Sequence, residues 1–231
     1  DEGHVVTVLS RSTAANNRAG YAAGVYHKGT WGIEWYNGGH ASMTIQNSTL
    51  SGNVAAEYGG AILNESVELP FPPRGGRVPP PIGGGYLLVD YSTLTANAAT
   101  SGGGVWNDGN ASFRATIITA NDVGYDCGGW VAPFSLGHNL GGDWSCGFDQ
   151  ATDVPKGAAD LMPLAMNPPG RTATHALGPA SDARDHIPLG GLEGCSAWYA
   201  NPDQRGVARP QPAGGWCDIG AYEASPVASG D

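Results

Sequence analysis

Among the carboxylates in or beside the patterned part of this chain are Asp90, Asp108, Asp122, Asp126 and Asp143. Cleaving a glycosidic bond needs two such groups converging, one protonated as the acid and one ionised as base or nucleophile. Asp90 precedes Asn97 by the same interval (97 − 90 = 7) that separates Arg114 from Asn121 (121 − 114 = 7). The two thus fall at one place in consecutive repeats, as a lyase-like pair or as a surface ion pair. No aspartate doublet recurs, and Lys28 is the only lysine of the repeating region. The carboxylates therefore assign no catalytic residue. His4, His27, His40, His138, His175 and His186 are scattered, with no His-Glu-x-x-His segment. Asn121-Asp-Val-Gly-Tyr-Asp126 is loosely like a calcium loop but lacks the acid such a loop needs downstream, and reads as a turn. No metal and no cofactor is expected.

A different chemistry is offered by Trp31, Trp35, Tyr36 and His40, clustered where no repeat demands aromatic residues. Flat amphipathic rings stack on sugar faces, anchor a protein interface, or pack back on their own domain. Asn47-Ser-Thr, Asn64-Glu-Ser and Asn110-Ala-Ser match the glycosylation sequon, though Asn and Ser recur here for other reasons.

The elements that must position these groups are repeats. Asn47-Ser-Thr-Leu-Ser-Gly-Asn53 runs into Tyr58-Gly-Gly-Ala-Ile-Leu-Asn64, and Tyr91-Ser-Thr-Leu-Thr-Ala-Asn97 into Gly102-Gly-Gly-Val-Trp-Asn107. Thr116-Ile-Ile-Thr-Ala-Asn121 repeats the first half once more. Short alternating strands closed by Asn and then Gly-Gly indicate coils stacked on one another. Aligned on Asn16, Asn53, Asn97 and Asn121, the coils are 53 − 16 = 37, 97 − 53 = 44 and 121 − 97 = 24 residues long. These asparagines are read as a structural ladder bonding to the coils above and below. The two longer coils carry insertions at 28–41 and 65–86. The second holds Pro70, Pro72, Pro73, Pro79, Pro80 and Pro81, which cannot donate to a strand ladder. Alternation points Met43, Ile45, Leu50 and Ile62 inward, then Leu88, Leu94 and Val105, then Phe113, Ile117 and Ile118. The fold expected is all-β: a right-handed parallel β-helix over residues 1–149, followed by an irregular C-terminal capping region over 150–231.

Composition agrees. The chain has 37 Gly and 17 Pro, yet 41% of its 231 residues are hydrophobic, enough to bury a core. Its formal charge of −10 disfavours nucleic acid or an anionic membrane surface as partner. No apolar run is long enough to span a bilayer. Asp1-Glu2-Gly3-His4 opens without a secretory leader, as a processed chain or a fragment would. The four cysteines form no Cys-x-x-Cys pair and flank two Gly-rich loops. The expected disulfides are Cys127–Cys146 and Cys195–Cys217, each removing about 3 kcal/mol of unfolded-state entropy and implying an oxidising compartment.

Ser48-Thr-Leu-Ser-Gly-Asn53 with Gly59-Gly-Ala-Ile, Ser135-Leu-Gly-His-Asn-Leu140 and Thr174-His-Ala-Leu-Gly-Pro179 carry a likeness to a known family. Its specific part is Asp203-Gln-Arg-Gly-Val-Ala-Arg-Pro-Gln211 followed by Cys217-Asp-Ile-Gly-Ala-Tyr-Glu223. Over nearly its whole length the chain resembles bacterial secreted right-handed parallel β-helix proteins of the choice-of-anchor Q domain family. The resemblance implies export and attachment to the cell surface through a C-terminal anchor. Only Ala-Ser-Pro-Val-Ala-Ser-Gly-Asp follows Glu223, so the expectation is a released member or one whose anchor has been removed. The function expected is that of an extracellular or cell-surface structural protein. It would form a homo-oligomer head to tail or through its loops, with an open terminal coil that could template a filament. The competing expectation is a carbohydrate-active β-helix, either a lyase or hydrolase or a glycan-binding adhesin. Exposed aromatics in a groove would favour the adhesin.

Overall fold

The computed structural model describes residues 5–29, 41–66, 86–190, 195 and 202–225. The first coil comprises β1 (Val5–Ser10), β2 (Thr13–Ala15), β3 (Arg18–Ala19) and β4 (Val25–Gly29). The second comprises β5 (Ala41–Gln46), β6 (Thr49–Ser51), β7 (Val54–Ala55) and β8 (Ile62–Ser66). The third has β9 (Tyr86–Asp90), β10 (Thr93–Thr95) and β11 (Val105–Asn107). The fourth has β12 (Asn110–Arg114), β13 (Ile117–Thr119) and β14 (Cys127–Gly128); β15 (Phe134–Ser135) and β16 (Leu140–Gly141) begin a fifth.

Every strand pair is parallel. The sheets run β1-β5-β9-β12-β15, β2-β6-β10-β13-β16 and β4-β8-β11-β14, with a small β3-β7 sheet at one corner. The chain is a right-handed parallel β-helix with three main walls. Single residues in the left-handed region turn the chain at its corners: Arg11, Asn47, Tyr91 and Ala115 at one, Asn16, Gly52, Ala96 and Ala120 at the next. Of the insertions expected at 28–41 and 65–86, Lys28 and Gly29 continue β4, Ala41 opens β5, Glu65 and Ser66 continue β8 and Tyr86 opens β9, and the remainder lies outside the described residues.

Inside, like residues lie over like. Leu9, Ile45, Val89 and Phe113 form one column, and Val25, Ile62, Val105 and Cys127 another. β9 corrects one expectation, because Leu87 and Val89 point inward and are fully buried, whereas Leu88 lies outward over Thr44. Leu87-Leu88-Val89 is apolar throughout, so alternation alone could not choose its inward face.

The asparagine ladder is continuous but begins one residue later than its spacing indicated. Asn17 Nδ2 donates to Asn53 Oδ1 (2.9 Å), Asn53 Nδ2 to Asn97 Oδ1 (2.9 Å), and Asn97 Nδ2 to Asn121 Oδ1 (3.0 Å). Asn121 Nδ2 donates in turn to Asp126 Oδ1 (2.8 Å), so an aspartate closes the column. Asn16 instead occupies the corner before it, with φ 57°. The Asn16-Asn17 doublet made the two indistinguishable by interval. A second ladder lines the third wall: Asn64 Nδ2 donates to Asn107 Oδ1 (2.6 Å), and Asn64 Oδ1 lies 2.7 Å from His27 Nδ1.

Residues 150–225 are irregular, and they do more than cover the last coil. Val154 bridges to Leu140 of β16. The chain then returns as a strap along the outer face of the second wall. Thr13 Oγ1 donates to Ala173 O (2.6 Å), Thr49 Oγ1 to Gln204 Oε1 (2.6 Å), and Ala221 N–H to Thr93 Oγ1 (3.0 Å). A second core fills this seam, built on Tyr91, Ile117, Leu140, Leu177, Ile187 and Ile219. Ile117 is therefore buried beneath the strap, while Ile118 faces the helix interior.

His175 fastens the strap to β6. Its Nδ1–H donates to Met162 O (2.7 Å), which leaves Nε2 to accept from Ser51 Oγ–H (2.9 Å). Burial lowers its pKa from 6.5, so the neutral ring is favoured when folded. The unfolded chain takes up this proton first as pH falls below 6.5. The stabilisation is thus complete above that pH and is lost on acidification. Chemical denaturation should show the stability gap between wild type and His175→Gln narrowing from pH 7 to pH 5. Asn97→Ala should cost about 3 kcal/mol in urea titrations, because it orphans several buried groups of the ladder. Asn17→Ala, at the ladder's rim, should cost less than about 1 kcal/mol.

Candidate functional site

Among the described residues the densest charge cluster belongs to Asp203–Gln211 and Cys217–Glu223. It is closed to solvent. Arg209 and Glu223 pair at 2.8 Å with both side chains fully buried. Arg209 also donates to Asp218 O (3.0 Å) and Gly220 O (2.6 Å) and lies over the Tyr91 ring, 4.7 Å from its centroid. Glu223 accepts from the N–H groups of Gln211 (2.8 Å) and Asp218 (3.0 Å). Burial outweighs Arg209 and pushes its carboxyl up to about 7, and burial raises the Tyr91 phenol to about 12. Arg205 Nε and Nη2 donate to Asp203 Oδ2 at 2.9 and 2.7 Å. These arginines bind the strap to itself and to the helix wall. A buried network of this kind fixes geometry, with Arg209 Nε left unpartnered within it and Arg205 also lining a cavity.

The stacked pair of the first wall is likewise saturated. Arg114 Nε and Nη2 donate to Asp90 Oδ1 (2.9 Å) and Oδ2 (2.7 Å), a bidentate contact with Asp90 only 3% exposed. Asp126 accepts from Asn121, Gly142 and Asp143, and burial raises its pKa. Asp143 caps the 3₁₀ turn Trp144–Cys146. The disulfides join Cys127 to Cys146 and Cys195 to Cys217, with Cα separations of 4.8 and 5.7 Å. Of the sequon asparagines, Asn47 and Asn64 are buried and Asn110 is exposed. Trp31, Trp35, Tyr36 and His40 lie outside the described residues.

An aromatic surface nevertheless exists, built by the coils themselves. Gly59-Gly60 and Gly102-Gly103 bring successive coils into backbone contact. A Cβ on Gly60 would stand 2.2 Å from Gly103 O, and one on Gly103 the same distance from Val123 O. This close approach places Tyr58 and Trp106 on one line. Tyr21 and Tyr58 have ring centroids 6.1 Å apart, Tyr58 and Trp106 4.5 Å, with interplanar angles of 31° and 44°. Three coils thus contribute one ring each at intervals near the coil rise.

Hydrogen-bonding groups border the rings. Trp106 Nε1–H donates to Asp108 Oδ2 (2.7 Å), whose Oδ1 accepts from Trp130 N–H (2.8 Å). Tyr26 Oη–H donates to Glu65 Oε2 (2.7 Å), which Lys28 approaches at 3.5 Å. Glu57 accepts from the Tyr21 hydroxyl and raises its pKa. Tyr21 and Tyr26 are half exposed, and Trp130 and Tyr125 are 87% and 71% exposed. Tyr58 and Trp106 are part-buried against each other, with Asp108 at the Trp106 edge, Glu57 at Tyr21 and Glu65 at Tyr26.

Tyr58 and Trp106 stand inside the repeats visible in the sequence, next to the glycine pairs. Their alignment follows only from the register that sets Leu63 beside Trp106. No family model, curated protein or solved structure matches this chain. Among the described residues no helix is long and apolar enough to cross a membrane.

The buried clamp gives a direct test. Arg209→Met should destabilise the protein by about 3–5 kcal/mol in thermal or urea unfolding, because the buried Glu223 loses its compensating cation and must either take up a proton or stay unpaired. Adding Glu223→Leu should recover part of that loss.

Proposed function

We propose that this protein is an extracellular, non-catalytic β-helix that binds carbohydrate along the aromatic line Tyr21–Tyr58–Trp106. The observation that carries this reading is that line itself: three rings on three consecutive coils, bordered by Asp108 at Trp106 and Glu57 at Tyr21. Sugar rings have apolar C–H faces and a rim of hydroxyls. A chain of them can therefore lay successive residues over successive aromatic rings while the carboxylates accept from their hydroxyls. The two disulfides support secretion, since such bonds persist in oxidising compartments. Bacterial origin and surface display accord with the likeness to choice-of-anchor Q domain proteins, and adhesion to a glycan is the role such display would serve.

Self-assembly is a second reading, favoured by a separate observation. Among the described residues β1 pairs only with β5, and Val5, Val6 and Val8 are 60%, 71% and 59% exposed. An exposed, apolar edge strand is a template for another strand, including one from a second copy. Sedimentation and electron microscopy distinguish the readings. Filaments dispersed by Val6→Lys with Val8→Lys support assembly, and monomers at every concentration dismiss it.

On an array of neutral and acidic oligosaccharides the protein should retain defined glycans. Trp106→Ala or Tyr58→Ala should weaken retention about tenfold or more, equivalent to about 1.4 kcal/mol for one stacked ring, without lowering thermal stability below the binding temperature. Absence of retention across the array, or retention unchanged in both variants, rejects the proposal.

A further inference from the structure

Where the first coil meets the strap, a cavity of about 300 Å³ is lined by Arg11, Pro169, Arg171, Thr172, Gln204 and Arg205. Three of the nine arginines of a chain with formal charge −10 converge there. They differ in what holds them. Arg205 is the floor: its guanidinium is bonded to Asp203, donates to Glu223 O and lies 3.5 Å from the Tyr222 ring centroid. Asp203 is spent on Arg205 and on the N–H groups of Arg205, Val207 and Glu223, so its charge is turned away from the cavity.

Arg11 and Arg171 form the rim, and both are exposed. Arg11 Nε donates to Gln204 O at 3.3 Å, and its Nη2 lies so near Gly206 that a Cβ there would stand 2.5 Å away. Among the described residues neither Arg11 nor Arg171 has a carboxylate partner. The neutral groups are occupied. The Gln204 amide donates to Thr13, Thr172 and Ala173 and accepts from Thr49, and Thr172 Oγ1 donates to Arg11 O. The donors left for a ligand are guanidinium N–H groups.

We propose that this cavity is an oxyanion site that takes the carboxylate of a small acidic ligand, recognised by Arg11 and Arg171 above a fixed Arg205. Planar guanidinium forks match a carboxylate with paired N–H donors, and a rim without acidic groups imposes no repulsion. The volume is at the lower end for ligand sites and admits one sugar-sized unit carrying the charge. The site shares no residue with the aromatic line, so it stands or falls apart from the proposed carbohydrate surface.

The test is a side-chain NMR titration of the intact protein, selectively labelled at arginine, with glucuronate and separately with inorganic sulfate. Saturable shifts of the Arg11, Arg171 and Arg205 Nε–H signals with glucuronate are expected, and the Arg205 shift should be lost in Arg11→Gln with Arg171→Gln. Competition by sulfate would show that the oxyanion alone is read; no competition would show that the organic part contributes, and both support the site. Absence of saturation at millimolar glucuronate, saturation with sulfate alone, or shifts that persist elsewhere in the double variant overturn it. Arg171→Gln alone makes the test safe against misfolding. It should weaken glucuronate binding at least fivefold while leaving the thermal midpoint unchanged.

Discussion

A buried asparagine amide carries two donors and an acceptor that must all be satisfied, and in the ladder from Asn17 to Asn121 a neighbouring coil supplies a partner at every step. Asn53 illustrates the constraint: its Nδ2 donates to Ala14 O and Asn97 Oδ1, and its Oδ1 accepts from Asn17. Each coil is thereby committed to one vertical position over the next. The apolar columns follow from that commitment, since a slip of one residue would turn Ile45, Val89 and Phe113 outward and break every amide contact together. Hydrophobic burial supplies most of the driving force, while the ladder selects the register in which it is spent.

The strap depends on that register as well. Thr13, Thr49 and Thr93 stack as a column of hydroxyls on the outer face of the second wall, and it is to these that Gln204, Ala173 and Ala221 are bonded. The buried charges then hold the strap in the one shape that fits the column. Arg209 spans the two, reaching Gly220 O within the strap while its guanidinium covers Tyr91 at a helix corner. The aromatic line is a by-product of the same stacking on another wall, where the glycine pairs allow the coils to approach closely enough for Tyr58 and Trp106 to meet.

Much of the helix was legible in the residue order because its signals repeat. Asn53, Asn97 and Asn121 recur after near-identical strands, and the cysteine pairs flank loops of suitable length. The misread positions are those where local pattern is degenerate: the Asn16-Asn17 doublet, the unbroken Leu87-Leu88-Val89, and the Ile117-Ile118 pair, of which Ile117 faces the strap and not the interior. The ladder of His27, Asn64 and Asn107 was half visible, since both asparagines close a Gly-Gly segment, but nothing near His27 marked it as their neighbour. The strap was out of reach. Its contacts join Thr13 to Ala173 and Thr49 to Gln204 without periodicity, and irregular chain has no spacing from which a partner can be inferred.

Solenoids held only by nearest-neighbour contacts fray from their ends, each terminal coil opening at little cost to the rest. The strap changes this. By touching β2, β6, β10 and β13 in turn, it ties the first coil to the last through residues more than a hundred positions away. Opening β13 and β16 must also strip part of the second core, and freeing the first coil must break its hydrogen bonds to Ala173 and Gln204. Loss of structure in this protein should accordingly be all-or-none, as in a compact globule, and an array of repeats is thereby made to melt as one cooperative unit.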